Sequence, residues 1–283
     1  MQAITQAGNA ARDAGLALRL WGVRGSTPTP IARNLGHGGN TPCASVEAGA
    51  GDVLIFDAGS GIRGLGLALC RRAALPTMHL FFTHFHWDHV QGLPFFVPLY
   101  RADASIVVYS AYAPEDLRAL LARQMAAPFF PVELSGVAAR LEFRQVVPAS
   151  GVSVGGVTVQ GFPLHHPQGS QGYRIADARR CIVFATDHEP GDAAIDANLR
   201  ALAHRADVLL CDAQYTPEEY EQRRGWGHGT WLEAVRVARA AEVGKLVLFH
   251  HDPDHDDAAL EAIAAEAQLH FANTVAAREG TSV

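Results

Sequence analysis

Residues 83–89, Thr83-His84-Phe85-His86-Trp87-Asp88-His89, follow directly on Met78–Phe82, a run apolar but for His79. A short apolar run of this kind reads as a buried strand, so the histidines begin where the strand ends. His84 and His86, two apart on extended backbone, point to one side. Asp88 and His89 fall on the next turn and face a second point a few ångströms away. Three imidazoles and a carboxylate packed so closely are costly to bury unless a cation neutralises them. Neutral imidazole and carboxylate oxygen are the ligands that zinc and similar ions take. A solvated loop that happens to be rich in histidine is the plain alternative, and it leaves the rest of the chain unexplained.

Working outward, the same arrangement recurs behind other strands. VLIF ends in Asp57, CIVFAT in Asp187, VLLC in Asp212 and KLVLF in His250, and the run to Leu164 ends in His165 and His166. Strand ends form the rim on which α/β proteins assemble sites, so this repetition points to one site drawn from the whole chain. Strands are predicted near 17–23, 43–48, 52–57, 78–83, 105–109, 141–147, 156–164, 171–176, 180–186, 207–211 and 245–249. Helices are predicted near 61–73, 115–126, 193–204, 230–241 and 257–269, with Asp192, Thr230 and Asp256 placed to cap three of them. The alternation predicts mixed α/β layers, and both halves begin with a β-hairpin, the second near Gly151. No Pro-, Ser- or Gly-rich linker and no short repeat divides the chain. Residues 1–283 are therefore expected to form a single domain, with 1–16 as a loose N-terminal arm.

At 48% hydrophobic and 18% charged over 283 residues, the composition is that of a globular chain and excludes disorder, collagen and coiled coil as overall descriptions. Its longest apolar runs fall far short of the ~20 residues that cross a bilayer, so no membrane partner is expected. The N-terminus carries Gln, Asn, Arg and Asp where a secretory signal needs an unbroken apolar core. Cys43, Cys70, Cys181 and Cys211 are widely separated, which suits a reducing compartment and provides no cysteine metal cage. These features predict a cytoplasmic protein. A formal net charge of -6 gives no general attraction to polynucleotide, which argues against long nucleic acid as a substrate.

Taken together, the chain resembles a metallo-β-lactamase-fold hydrolase nearly end to end. Asp57 in FDAGSG resembles that family's first motif and His84 to His89 its second. His166 in LHHPQGSQGYRI, Asp187 in FATD and His250 in LVLFHHDP resemble the third, fourth and fifth. The resemblance implies a four-layer αβ/βα sandwich, two mixed β-sheets flanked by helices, with a two-metal site at one edge. It places one divalent cation on His84, His86 and His166 and the other on Asp88, His89 and His250, with Asp187 bridging. Zinc is the first choice, and manganese or iron fits the same nitrogen and oxygen ligands. The implied nucleophile is hydroxide shared between the cations and oriented by Asp88. The doubled histidines leave an alternative at two positions. His166 is preferred to His165 as the residue before Pro in the motif, and His250 to His251 because it ends the apolar strand.

The segment GWGHGTWLEAVRVARAAEVGKLVLFHHDP resembles ribonuclease Z and related phosphodiesterases, where a histidine lies about one helix upstream of the last ligand. Here it is His228, with Asp212 of LLCDAQYT as its carboxylate partner, and the pair is expected to protonate or stabilise a departing oxygen. A surface histidine in a Gly-rich loop is the competing reading. RLWGVRGSTPTP and GHGGNTPCASV also resemble the first hairpin of that branch. The chain lacks the long basic arm that holds tRNA. A small anionic phosphodiester, such as a cyclic nucleotide or cyclic sugar phosphate, is therefore the expected substrate. Hydrolysis of a lactone, thioester or β-lactam on the same metals is the rival, and a non-catalytic metal-binding module the third reading. Homodimerisation is a general expectation.

Residues 111–143 read as an inserted lid or interface segment. Phe129, Phe130 and Pro131 are too apolar for a free loop and suggest a cover over the site or a subunit contact, with packing on the chain's own core as the alternative. Gly59 to Gly64 satisfies G-x-G-x-x-G, but the next strand ends in His84 rather than the acidic residue that a ribose needs. Those glycines are expected instead to let the turn after Asp57 pass close to the metal loop. Trp87 and Trp226 can stack on a base or simply pack, and Arg24 and Arg174 are expected to form structural ion pairs.

Overall fold

The computed structural model describes residues 16–148 and 150–283, so most of the expected N-terminal arm lies outside the described residues. Leu16, its last residue, is buried in the core. The first sheet runs β1 (Leu18–Gly22), β2 (Cys43–Glu47), β3 (Val53–Phe56), β4 (Thr77–Phe81), β5 (Ser105–Ser110) and β6 (Arg140–Gln145), in that spatial order. The second contains β7 (Gly151–Val154), β8 (Val157–Leu164), β9 (Ser170–Ala176), β10 (Cys181–Ala185), β11 (Val208–Asp212), β12 (Leu246–Phe249) and β13 (Thr274–Ala276), again in sequence order across the sheet. Each sheet starts antiparallel and becomes parallel: β3 to β6 in the first, β10 to β13 in the second. This is the two-half plan read from the sequence, with the second half opening on the β7–β8 hairpin.

Between the parallel strands run α1 (Ile62–Leu69), α2 (Trp87–Val90), α3 (Pro114–Gln124), α4 (Ala193–Ala203), α5 (Pro217–Tyr220), α6 (Trp231–Ala240) and α7 (Asp257–His270). Alternation within strands separates the layers. On β3, Leu54 and Phe56 face the second sheet while Val53 and Ile55 face α1 and α3. On β10, Ile182 and Phe184 face inward while Val183 and Ala185 meet α4 and α6. The result is helix, sheet, sheet, helix, the expected four-layer sandwich. Between the sheets, Phe81 and Tyr109 stack at 4.3 Å, and Phe56, Tyr173, Phe184 and Phe249 continue the aromatic slab. Each such ring pair adds about 0.5–1.5 kcal/mol beyond area burial. Phe56 and Phe249 directly precede Asp57 and His250, so this slab is the rigid floor under the cluster.

All three expected caps form: Asp192 accepts from the amides of Ala194 and Ile195, Thr230 from Glu233 and Asp256 from Ala259. The structure departs from the sequence reading in several places. Helix α1 stops at Leu69 rather than 73, and β13, α2 and α5 lie outside the sequence reading. They are three or four residues long, too short to show a period. Arg24 forms no ion pair among the described residues. It is fully buried, and its guanidinium donates to the carbonyls of Gly38, Asp252 and His255. Arg174 likewise donates to a carbonyl, that of Leu202. In the 111–143 stretch, α3 packs Leu117 and Leu121 inward and Phe130 meets Phe95, while Phe129 stands 76% exposed. No helix among the described residues is long and apolar enough to cross a membrane.

Candidate metal centre

The parallel strands end at one rim, and there the backbone turns abruptly. Asp57, Asp187 and His250, just beyond β3, β10 and β12, have φ of 61°, 58° and 63°. Left-handed backbone costs a non-glycine residue about 1–2 kcal/mol, and three such residues meeting at one rim is a concentration of strain typical of sites. Close approach is required here too. A Cβ on Gly59 would lie 2.4 Å from the Asp88 carbonyl oxygen, and one on Gly92 would lie 2.0 Å from that of Gly59. The glycines after Asp57 thus bring its turn against the metal loop.

Two trios result. His84, His86 and His166 form one and Asp88, His89 and His250 the other, and Asp187 reaches both. His86 Nδ1 lies 3.0 Å from His166 Nε2. In the second trio, His250 Nε2 is 3.1 Å from Asp88 Oδ2 and 3.3 Å from His89 Nε2, which is 3.2 Å from Asp187 Oδ2. Ligand atoms on a tetrahedral ion at 2.0–2.1 Å stand about 3.3 Å apart, so these separations match a shared cation.

The outer nitrogen of each ring fixes its tautomer. His89 Nδ1 donates to Asp57 at 2.8 Å, His250 Nδ1 to Gln214 Oε1 at 2.9 Å, and His166 Nδ1 to the Gly227 carbonyl at 2.7 Å. His86 Nε2 donates to Gln168 Oε1 at 2.8 Å. The Thr83 hydroxyl spends its proton on Asp57 and accepts from His84 Nδ1 at 3.0 Å. Rings held by their outer nitrogens turn the other nitrogens toward one another, and buried His84 Nε2 has no hydrogen-bond partner among the described residues. That is unsatisfied without a cation, and satisfied with one. The residues present fit two divalent metals.

The electrostatics agree. Burial alone would push His89 down, but Asp187, Asp88 and Asp57 outweigh it and hold this imidazole well above its ordinary range, so in the bare cluster a proton takes the place of positive charge. Burial, reinforced by His89, holds His84 well below. Asp88 and Asp187 would be raised by burial, yet neighbouring histidines keep both below the usual carboxylate range. Burial raises Asp57 against the opposing pull of His89.

His228 adjoins both trios, its ring centroid 5.1 Å from that of His166 and 4.9 Å from that of His250. It is not a surface histidine: it is buried, with Nδ1 2.8 Å from Asp212 Oδ2. Burial would lower it, but Asp212 prevails and holds it up to about 9. His165 and His251 lie outside the cluster. His165 bonds the Glu189 carbonyl, and His251 bonds that of Ala277, burial pushing it down to about 3.

Sequence reasoning missed the residues that hold the rings: Gln168, Gln214 and Glu189. Glu189, buried, accepts from the amides of Gly225 and Gly227 and from Tyr220, which fixes the loop that carries the Gly227 carbonyl and His228. The main chain of Ser26 donates to Asp88, and Gln214 reaches Ser26 Oγ. Glutamine after a strand carries no signal of its own. Their one signal is position: Gln168, Glu189 and Gln214 each lie two residues after an expected site residue, His166, Asp187 and Asp212.

A four-layer sandwich with a buried His/Asp cluster at its parallel strand ends defines a metal-dependent hydrolase of metallo-β-lactamase fold. The chain belongs to the family described as the Beta-lactamase superfamily domain, whose model matches residues 53–251 and so spans the whole cluster. It is 29% identical over 263 residues to a Ribonuclease Z of Salinibacter ruber, with 74% of this chain and 79% of that one covered. Among solved structures, the metallo-beta-lactamase fold protein YhfI from Bacillus subtilis matches with a TM-score of 0.71 at 18% identity, covering 95% and 99% of the two chains. A diphosphatase of the PhnP family matches with a TM-score of 0.68 at 18% identity over 95% and 97%.

Proposed function

We propose that this chain is a dinuclear metal-dependent phosphodiesterase acting on a small anionic phosphodiester. His84, His86 and His166 would hold one divalent cation, Asp88, His89 and His250 the other, and Asp187 would serve both. Zinc is the first choice for such a nitrogen and oxygen set. When bound, the cations supply Lewis acidity toward a phosphoryl oxygen and acidify water at neutral pH. Asp88 orients the attacking water. Asp212 fixes His228 through Nδ1, leaving Nε2 to donate a proton to the departing alkoxide.

The observation that carries the reading is this His228–Asp212 pair, a buried imidazole beside both trios with Nδ1 held on a carboxylate at 2.8 Å. An acid serves the loss of an alkoxide from phosphorus. Relatives named for ribonuclease and diphosphatase activity support chemistry at phosphorus. The net charge of -6 favours a small substrate over RNA.

The test is hydrolysis of a cyclic nucleotide, whose leaving group is an alkoxide, beside a lactone and a thioester, by metal-loaded wild type, Asp187→Ala and His228→Ala. Phosphodiester turnover lost in both variants is the expected result. Acyl turnover that survives His228→Ala, with no phosphodiester activity, would move the function to the acyl esters. Absence of bound metal after equilibrium dialysis at neutral pH would overturn both.

A further inference from the structure

Beside the metal loop, and sharing no residue with either trio, runs an apolar groove of about 280 Å3 between residues 85–90 and α3. Two large rings bracket it. Trp87, next to His86 in the chain, is 65% exposed, and Phe129 is 76% exposed. Phe85 and Leu120 line it between them. At its edge Arg123 stands exposed, with no carboxylate within ion-pair distance among the described residues. Gln124, which also lines the groove, ties α3 to the metal loop by donating Nε2 to the Val90 carbonyl.

Exposed aromatic faces and an unpaired guanidinium are what a nucleotide recognises: a planar base to stack and a phosphate to pair. We propose that this groove is the base subsite of a nucleotide substrate, with the base between Trp87 and Phe129, the scissile phosphodiester at the metal trios and a second, terminal phosphate at Arg123. The proposal rests on the phosphodiester reading above and narrows it. It also gives the 111–143 stretch a part in substrate choice, because Arg123 and Phe129 both come from it.

The experiment measures equilibrium binding of adenosine monophosphate, adenosine and ribose 5-phosphate to the metal-loaded protein, by calorimetry and by quenching of tryptophan fluorescence. Adenosine monophosphate is expected to bind roughly 5- to 150-fold more tightly than ribose 5-phosphate, the range base–aromatic stacking supplies. Phe129→Ala should erase most of that advantage without altering ribose 5-phosphate affinity, metal content or Tm. Arg123→Gln should weaken adenosine monophosphate and leave adenosine unchanged. Equal affinity for adenosine monophosphate and ribose 5-phosphate would overturn the proposal. So would Phe129→Ala turning a dimer into a monomer at unchanged nucleotide affinity, which would make the groove a contact between copies. Base-dependent binding without phosphodiester turnover would leave the groove standing as a nucleotide site and remove the hydrolytic reading.

Discussion

Replacing Asp212 with Asn keeps the shape of the His228 partner and removes its charge. Held up to about 9, His228 is about 97% protonated at pH 7.5 in the cation-free protein, whereas at the ordinary imidazole value near 6.5 it would be about 9% protonated. Burial, which opposes protonation, remains in Asp212→Asn, so the acid form should fall by at least roughly tenfold. The assay is proton–carbon NMR of ring-labelled histidine in metal-free protein, with the His228 signal assigned through His228→Gln. Its midpoint should drop from near 9 to 6.5 or below in Asp212→Asn. The raised value also links to folding: the pair's contribution is complete below about pH 6.5 and is lost as pH rises through about 9. Asp212→Asn should flatten that part of the stability profile. In the loaded enzyme, turnover of a substrate with an alkoxide leaving group should fall, and p-nitrophenolate release much less, since that group departs without a proton. A wild-type midpoint near 6.5, or one near 9 that survives Asp212→Asn, would refute the reasoning.

Gln214→Leu, which strips His250 of its acceptor, should weaken one of two metal equivalents about 10- to 100-fold in chelator competition, with Gln214→Glu restoring most of it. Unchanged affinity in Gln214→Leu would mean that the amide has no part in orienting the ring. Gly92→Ala would set a Cβ 2.0 Å from a backbone oxygen, and urea denaturation should register a loss of more than about 2 kcal/mol. Phe184→Ala, in the slab between the sheets, should cost about 3–5 kcal/mol in the same measurement while leaving metal stoichiometry at two.

The cluster was legible because its members sit next to strong local signals. Apolar strands such as LVLF announce themselves, and an ionisable residue just beyond one stands out. The choice of His250 over His251 followed from that adjacency, and in the structure only His250 faces the trios. Gln168, Gln214 and Glu189 were not legible, because their work is to accept hydrogen bonds across the fold from residues as many as 82 positions away. Arg24 was misjudged for the same reason: its partners are carbonyl oxygens, which every residue has. β13 escaped because three residues added to the edge of a finished sheet need little pattern of their own.

Each trio straddles the two halves of the chain. His84 and His86 come from the first sheet and His166 from the second, and Asp88 and His89 are likewise completed by His250. An ion at either position is therefore a rivet between two structural units as well as a reagent. Binding energy spent there opposes separation of the sheets, and stability should climb with free metal as RT ln(1 + [M]/Kd).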